Sequence, residues 1–286
     1  MTRRSFGYVV LALIGTAAVS AQYFPYEPDW NRPAPPHRVI DNVYFVGTTE
    51  LGAFVVTTPR GHILIDPGFD ETAPLIRTSM RTLGLAYEDI RVLLTTQAHF
   101  DHVAGMARIK QETGARVEAM REDAALLESG GRGDFLFGND RSFRPVKVDR
   151  VLSHGDVVEQ GGVKLTAHHT PGHTKGATTF TMVVDENGWS HQMIFATSTT
   201  VNAGTALVDN SAYPGIVADW ERTYAILDSL SPGVWVSAHS GYFYMKGKPA
   251  RIGRGENPYI DPKGFRRYVM ESRQRFSRLL AEQLVK

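Results

Sequence analysis

Short apolar, β-type runs recur through the first part of the chain, at residues 43–46, 53–57 and 62–65, each set off by glycine-containing turns, and they predict β-strands. A helical pattern over 71–83 follows, then a strand at 92–95, a helix at 103–112 closed by Gly114, and a strand at 116–120. Between 146 and 197 the pattern is mostly β, with strands at 148–152, 157–159, 163–168, 178–184 and 193–197 and a turn signal at Asn187-Gly188. The rest predicts a helix at 217–230, a strand at 234–238 and a long helix at 262–284. In that last helix Phe265, Val269, Phe276 and Leu280 recur near helical spacing and form one buried face. Strands followed by helices, twice over, suggest an α/β protein of two similar halves.

Composition narrows the class. An apolar share of 42% and 31 basic against 30 acidic residues describe an ordinary globular protein. The charge balance lacks the basic excess that nucleic-acid binding requires, so no such partner is expected. No Ser/Gly or charged linker interrupts the interior, which predicts one domain over residues 22–286. The first 21 residues read as a signal peptide: Arg3-Arg4, an apolar run from Tyr8 to Val19, then Ser20 and Ala21 as small residues before the cleavage point. The run is shorter than the roughly 20 residues that cross a bilayer. Thr2 to Phe6 also resembles the start of a twin-arginine signal, so the general or the twin-arginine route is expected to deliver a periplasmic protein free of the membrane. With no cysteine anywhere, disulfides, lipoprotein anchors and thiolate metal ligands are all excluded.

The densest chemistry lies directly after the 92–95 strand, where Gln97, His99, Asp101 and His102 fall within six positions. Imidazole and carboxylate donors at a strand end suit zinc, which is usually four-coordinate. Adjacent side chains such as those of Asp101 and His102 point in different directions, so one loop does not enclose an ion and remote ligands are required. Two histidines stand at comparable strand ends, His173 in HHTPGHTKG and His239 in VWVSAHSGY. By contrast, His37, His62, His154 and His191 have no ligand-type neighbours at metal spacing. His168 and His169 read as strand or supporting residues.

QAHFDH, HTPGHTKG and the late AHSG together resemble the metallo-β-lactamase superfamily, whose usual loop motif is His-x-His-x-Asp-His. LIDPG at 64–68 resembles the family's supporting strand and turn, with Asp66 bracing the metal loop. The resemblance covers about residues 39 to 245. It implies an αββα sandwich, two mixed sheets flanked by helices, with a metal cleft at one edge.

Among the subclasses, two use a cysteine ligand, so the lack of cysteine leaves only the third, B3. It implies two zinc ions, zinc 1 on Gln97, His99 and His173 and zinc 2 on Asp101, His102 and His239. In the family pattern the place of Gln97 belongs to a histidine, and a few B3 enzymes of the GOB type carry the same glutamine. A neutral carboxamide oxygen is a harder donor than imidazole, so zinc 1 is expected to be the weaker site.

The implied activity is hydrolysis of the amide bond of β-lactam antibiotics, a small-molecule substrate, by a monomer conferring antibiotic resistance. Bound zinc lowers the pKa of water from about 15.7 towards roughly 7, which makes hydroxide available at neutral pH. Asp101 is the expected catalytic residue, orienting or deprotonating that water. Ser198 and Thr200, in the hydroxyl run TSTTVN, are expected to hold the substrate carboxylate. Phe135, Leu136 and Phe137 in ESGGRGDFLFGND are candidates to cover an apolar part of the substrate, and the RGD triplet at 132–134 is read as coincidence. The alternative is a metallohydrolase of the same fold acting on a lactone, thioester or phosphodiester. Such enzymes add a metal-bridging aspartate after the second-half strand, which here ends Phe195-Ala196-Thr197-Ser198 without a carboxylate.

Overall fold

A computed structural model describes residues 28–140 and 142–285, so the signal-peptide reading of residues 1–21 lies outside the described residues. The first half of the chain builds one sheet from β1 (His37–Ile40), β2 (Val43–Phe45), β3 (Phe54–Val56), β4 (His62–Ile65), β5 (Ile90–Leu94), β6 (Arg116–Met120) and β7 (Arg150–Leu152), in that spatial order. A second sheet is ordered β12-β11-β10-β9-β8. It uses β8 (Val157–Gln160), β9 (Val163–His169), β10 (Thr178–Glu186), β11 (Trp189–Ala196) and β12 (Val234–Ser237). Both sheets are mixed: antiparallel meanders through β1–β4 and β8–β11, and parallel pairs β4–β5, β5–β6, β6–β7 and β11–β12. The recurrence of meander followed by parallel pair is the topological counterpart of the two similar halves read from the pattern.

Among the described residues there are six α-helices: α1 (Thr72–Thr82), α2 (Phe100–Val103), α3 (Met106–Thr113), α4 (Arg121–Ser129), α5 (Ile216–Ser229) and α6 (Pro262–Leu284). Layering explains why β4 and β5 are continuous apolar runs rather than alternating ones. Ile63, Ile65, Val92 and Leu94 enter the core between the sheets, beside Phe45, Phe54, Phe180, Phe195 and Val236. Leu64 and Leu93 face the other way, into a second core with Ala73, Ile76 and Met80 of α1 and Met106 and Ile109 of α3. A strand buried on both faces has no polar side to display. On the far side, Trp220 and Tyr224 of α5 and Phe265, Tyr268, Val269 and Phe276 of α6 close the central core. The result is the expected αββα sandwich.

Three departures from the pattern have physical causes. The helix expected at 103–112 is two helices, because Gly105 lies against the turn after β4: a Cβ there would sit 2.9 Å from the Phe69 carbonyl oxygen, and its N–H donates to the Gly68 carbonyl. α4 went unread because it follows β6 with no turn residue between them. β1, in the proline-rich lead, pairs at the sheet edge through a register irregularity between Arg38 and Ile40. No helix among the described residues is long and apolar enough to cross a membrane.

Candidate metal centre

The loop after β5 is held from below by Asp66, which lies at the end of β4 with a positive φ of 53°. Its Oδ1 accepts the Thr96 N–H at 2.7 Å and the Thr95 hydroxyl at 3.0 Å, while Oδ2 accepts the Thr96 hydroxyl at 2.7 Å. The Gly68 N–H donates to the His102 carbonyl, so the β4 turn grips both ends of the histidine-bearing segment. Burial pushes the Asp66 carboxyl above its ordinary range, opposed by the charge of His102 and the bonds from Thr96 and Thr95.

A second buried carboxylate ties this loop to the next one. Asp123, on α4, accepts the Ala98 N–H at 2.8 Å and the Thr174 hydroxyl at 2.7 Å on Oδ2, and the Gly176 N–H at 2.8 Å on Oδ1. Ala98 adjoins His99, and Thr174 adjoins His173, so one side chain sets the spacing of two candidate ligands. Burial raises its pKa to about 6 in spite of these donors. Reading from the sequence missed Asp123, because its helix was missed; the glycine of HTKG was the available signal.

These supports bring five of the six predicted metal residues together. Asp101 Oδ2 is 3.1 Å from His102 Nε2 and 3.5 Å from His239 Nε2, and the two histidine nitrogens are 3.3 Å apart. One donor atom from each of the three lies within 4.8 Å of the others. Beside them, His99 Nδ1 is 3.2 Å from His173 Nε2. His173 Nδ1 donates to the Thr200 carbonyl at 2.6 Å, which fixes its tautomer and leaves Nε2 as a lone pair aimed at the cluster. Gln97 is buried close by in sequence but differently engaged: its side-chain oxygen accepts the Ser198 N–H at 3.2 Å.

Electrostatics favour a cation here. Burial, reinforced by the neighbouring His99 and His102 respectively, lowers the pKa of His173 to about 3 and of His239 to about 4, so both are neutral donors at pH 7. Against burial, which raises it, His102, His239 and His99 hold the Asp101 carboxyl well below the usual carboxylate range. Against burial, which lowers it, Asp101 and Asp66 raise the pKa of His102, and its Nε2 lies 3.3 Å from that of neutral His239, a spacing that a proton or a metal between them accommodates. Borderline-soft nitrogen and oxygen donors without thiolate are a zinc-type set.

The cluster opens into a cavity of about 530 Å³. His99, Asp101, His173 and His239 line it, with Trp30, Leu136, Phe137 and Tyr242 as an apolar and aromatic wall and Glu50 and Asn202 as polar points. Trp30 meets His239 edge to face at 5.5 Å. Of the two hydroxyls expected to hold substrate, Thr200 is half-buried and pairs with the Tyr242 hydroxyl at 2.8 Å, whereas Ser198 has no exposed surface. Tyr242 and Asn202, which neither motif nor spacing singled out, face the cavity directly. His168 and His169 are supporting residues: His168 Nε2 bonds Thr181 at 2.9 Å and His169 Nε2 donates to the Lys175 carbonyl at 2.8 Å. The RGD triplet is not a displayed peptide, since its Asp134 is buried.

Residues 53–239 match the family described as "Metallo-beta-lactamase superfamily". Among solved structures, the native FEZ-1 metallo-beta-lactamase from Legionella gormanii is 40% identical. The match covers 90% of this chain and 99% of that one, with a TM-score of 0.87. BJP-1, a subclass B3 metallo-beta-lactamase of Bradyrhizobium japonicum, is 36% identical over 90% of this chain and 97% of its own, with a TM-score of 0.84. GOB-18 from Elizabethkingia meningoseptica is 29% identical over 93% and 100%, with a TM-score of 0.85. A hydroxyacylglutathione hydrolase from Bradyrhizobium sp. (strain ORS 278) is 28% identical over 162 residues, 54% of this chain. The chain spans about half the length of the curated relatives it matches, 52% in that case. By its matched segment, its two mixed sheets and its similarity to subclass B3 structures along nearly their whole length, this chain belongs to the metallo-β-lactamase superfamily, a fold that implies zinc.

Proposed function

We propose that the protein is an exported, zinc-dependent hydrolase of β-lactam antibiotics, acting as a monomer and conferring resistance. The observation that carries this reading is the convergence of Asp101, His102 and His239 with His99 and His173 at the floor of an aromatic-walled cavity. Similarity to subclass B3 enzymes over nearly their full length supports the same substrate class, where the thioester-hydrolase relatives match only in part. The chain after β11 reads Thr-Ser-Thr-Thr at 197–200, with no carboxylate to bridge two metals, which also favours the lactam reading over the lactone, thioester or phosphodiester one.

In this reading His99 and His173 hold zinc 1 with Gln97, and Asp101, His102 and His239 hold zinc 2. Zinc would supply an acidified water and a charge to stabilise the departing amide nitrogen. Asp101, ionised at neutral pH, would accept a hydrogen bond, and then a proton, from a water in the cavity. His173 is kept in its donor tautomer by the Thr200 carbonyl. Thr200, backed by Tyr242, is the better placed of the two hydroxyls to hold the substrate carboxylate, with Ser198 behind it. Trp30, Leu136 and Phe137 exclude water from the apolar side of the substrate. Gln97 gives zinc 1 a weaker set, because ligation by its oxygen competes with the bond that oxygen accepts from Ser198.

The test is a hydrolysis panel of a penicillin, a cephalosporin, a carbapenem, a lactone and a thioester, run before and after EDTA and after zinc return. Lactam turnover that EDTA abolishes and zinc restores is the expected result. Thioester or lactone turnover exceeding that of every lactam would replace this reading with the alternative.

A further inference from the structure

Asp134, the acidic residue of the RGD triplet, has been given no part in the metal centre, yet its side chain faces it. It lies in the loop after α4, is 6% exposed, and spends its two oxygens on two different parts of the molecule. Oδ1 accepts the backbone N–H groups of Leu136 at 2.7 Å and Phe137 at 2.8 Å, so it shapes the turn that carries both residues to the cavity wall. The same turn is closed on itself by Gly133 N–H to the Gly138 carbonyl and Gly138 N–H to the Asp134 carbonyl, each at 2.9 Å. Oδ2 points the other way and lies 3.4 Å from His99 Nε2. Both of these atoms are buried, and neither has a hydrogen-bond partner elsewhere among the described residues.

A buried carboxylate oxygen and a buried ring nitrogen, each otherwise unpartnered and within reach of one another, are complementary when the nitrogen carries its proton. His99 has two nitrogens with two outlooks: Nδ1 faces His173 Nε2, and Nε2 faces Asp134. A proton held on Nε2 by the carboxylate leaves the Nδ1 lone pair free for a cation and makes it a stronger donor. Phe137 completes the arrangement, since its ring packs edge to face on His99 with centroids 5.1 Å apart.

We propose that Asp134 is a positioning residue that couples His99 to the cavity wall: one carboxylate oxygen sets the tautomer and angle of the His99 ring, and the other fixes the Leu136–Phe137 turn. Zinc binding at His99 and ordering of the 131–138 loop are therefore one event. This inference rests on the reading of His99 as a zinc ligand, and its test does not depend on any substrate.

Three variants of the full chain separate the possibilities: His99→Ala, Asp134→Asn and Asp134→Ser. Asparagine presents either its oxygen or its amide nitrogen to His99, so it cannot serve both Nε2–H and the loop N–H groups at once. Serine retains a short acceptor for the loop but does not reach the ring. Zinc affinity is read by competition with a chromophoric chelator. Loop order is read by trypsin cleavage after exposed Arg132, normalised to cleavage after exposed Arg254. Zinc is expected to slow cleavage after Arg132 in the wild type. Both Asp134 variants should weaken one zinc equivalent by at least about tenfold, the lower end for a residue that supports a metal ligand, and in both zinc should lose its protective effect at Arg132. Loss of an equivalent in His99→Ala with full affinity in both Asp134 variants would overturn the proposal alone. Full zinc binding in His99→Ala would overturn the ligand reading and the proposal with it.

Discussion

Gly176 lies so close to Asp123 that a Cβ on it would sit 2.3 Å from the Asp123 amide nitrogen and 2.7 Å from its carboxyl carbon. The glycine lets the carboxylate reach both candidate ligand loops. Gly176→Ala is therefore expected to push α4 away and to cost about 1–3 kcal/mol of stability, the range for overpacking a filled site. Zinc affinity should fall with it. Denaturant unfolding and metal titration of the variant check this, and wild-type values in both would show that the contact is not needed.

Asp101 and His102 carry the clearest prediction for activity. Asp101→Ala removes the proposed proton acceptor and a zinc 2 ligand together, and a loss of at least about 100-fold in kcat is expected for removal of a general base. His102→Ala should lose turnover through metal content instead, which parallel zinc analysis of the two variants will separate. Near wild-type hydrolysis in both would remove this cluster from the chemistry.

For Gln97, the informative change is a gain. Gln97→His should tighten zinc 1 by on the order of tenfold, equivalent to about 1.4 kcal/mol, while zinc 2 stays as it was. Unchanged affinity would place the glutamine outside the ligand set, in the structural role its bond to the Ser198 N–H already describes.

Acid stability of chelator-treated protein follows from the buried groups. His173 and His239 have folded pKa values near 3 and 4, depressed below the unfolded 6.5, so the unfolded chain takes up protons first and stability falls as pH drops from 6.5. Asp123 acts in the opposite sense: its folded pKa near 6 lies above the unfolded 3.8, so folding gains as pH falls between those values. Asp66, raised by burial, acts with Asp123, while His37, His62 and His168, lowered by burial, act with His173 and His239; the five histidines outnumber the two carboxyls, so stability is expected to fall between about pH 6 and 4. Thermal unfolding across that window should show a falling Tm, with zinc-loaded protein higher throughout. A flat profile for the chelated protein would contradict the buried neutral state of both histidines.

Much of this architecture was legible in the sequence because it rests on local signals. Glycine-bounded apolar runs marked β2–β4, and Asn187-Gly188 marked the β10–β11 hairpin, where both residues take positive φ. His99, Asp101, His102, His173 and His239 were legible as a candidate set because three donors crowd one loop and two more histidines stand at comparable strand ends. What stayed hidden depends on approach in space. Asp123 is 25 positions from Ala98 and 53 from Gly176, and Asp134 is 35 from His99, with no periodicity to join them. Tyr242 gave no signal beyond its place three residues after His239, and only the packing of the 197–203 segment brings Thr200 to its hydroxyl.

The donor residues are drawn from both sheets, beginning at His99 after β5 and ending at His239 after β12. A growing chain therefore lacks a full zinc cage until its second sheet has docked on the first, however early the QAHFDH loop is made. Metal capture is then the last step of maturation rather than its nucleus, and the compartment where folding finishes decides which metal pool the enzyme draws on. If the proposed export holds, translocation as a folded body would load it before export, and translocation as an unfolded thread would load it afterwards.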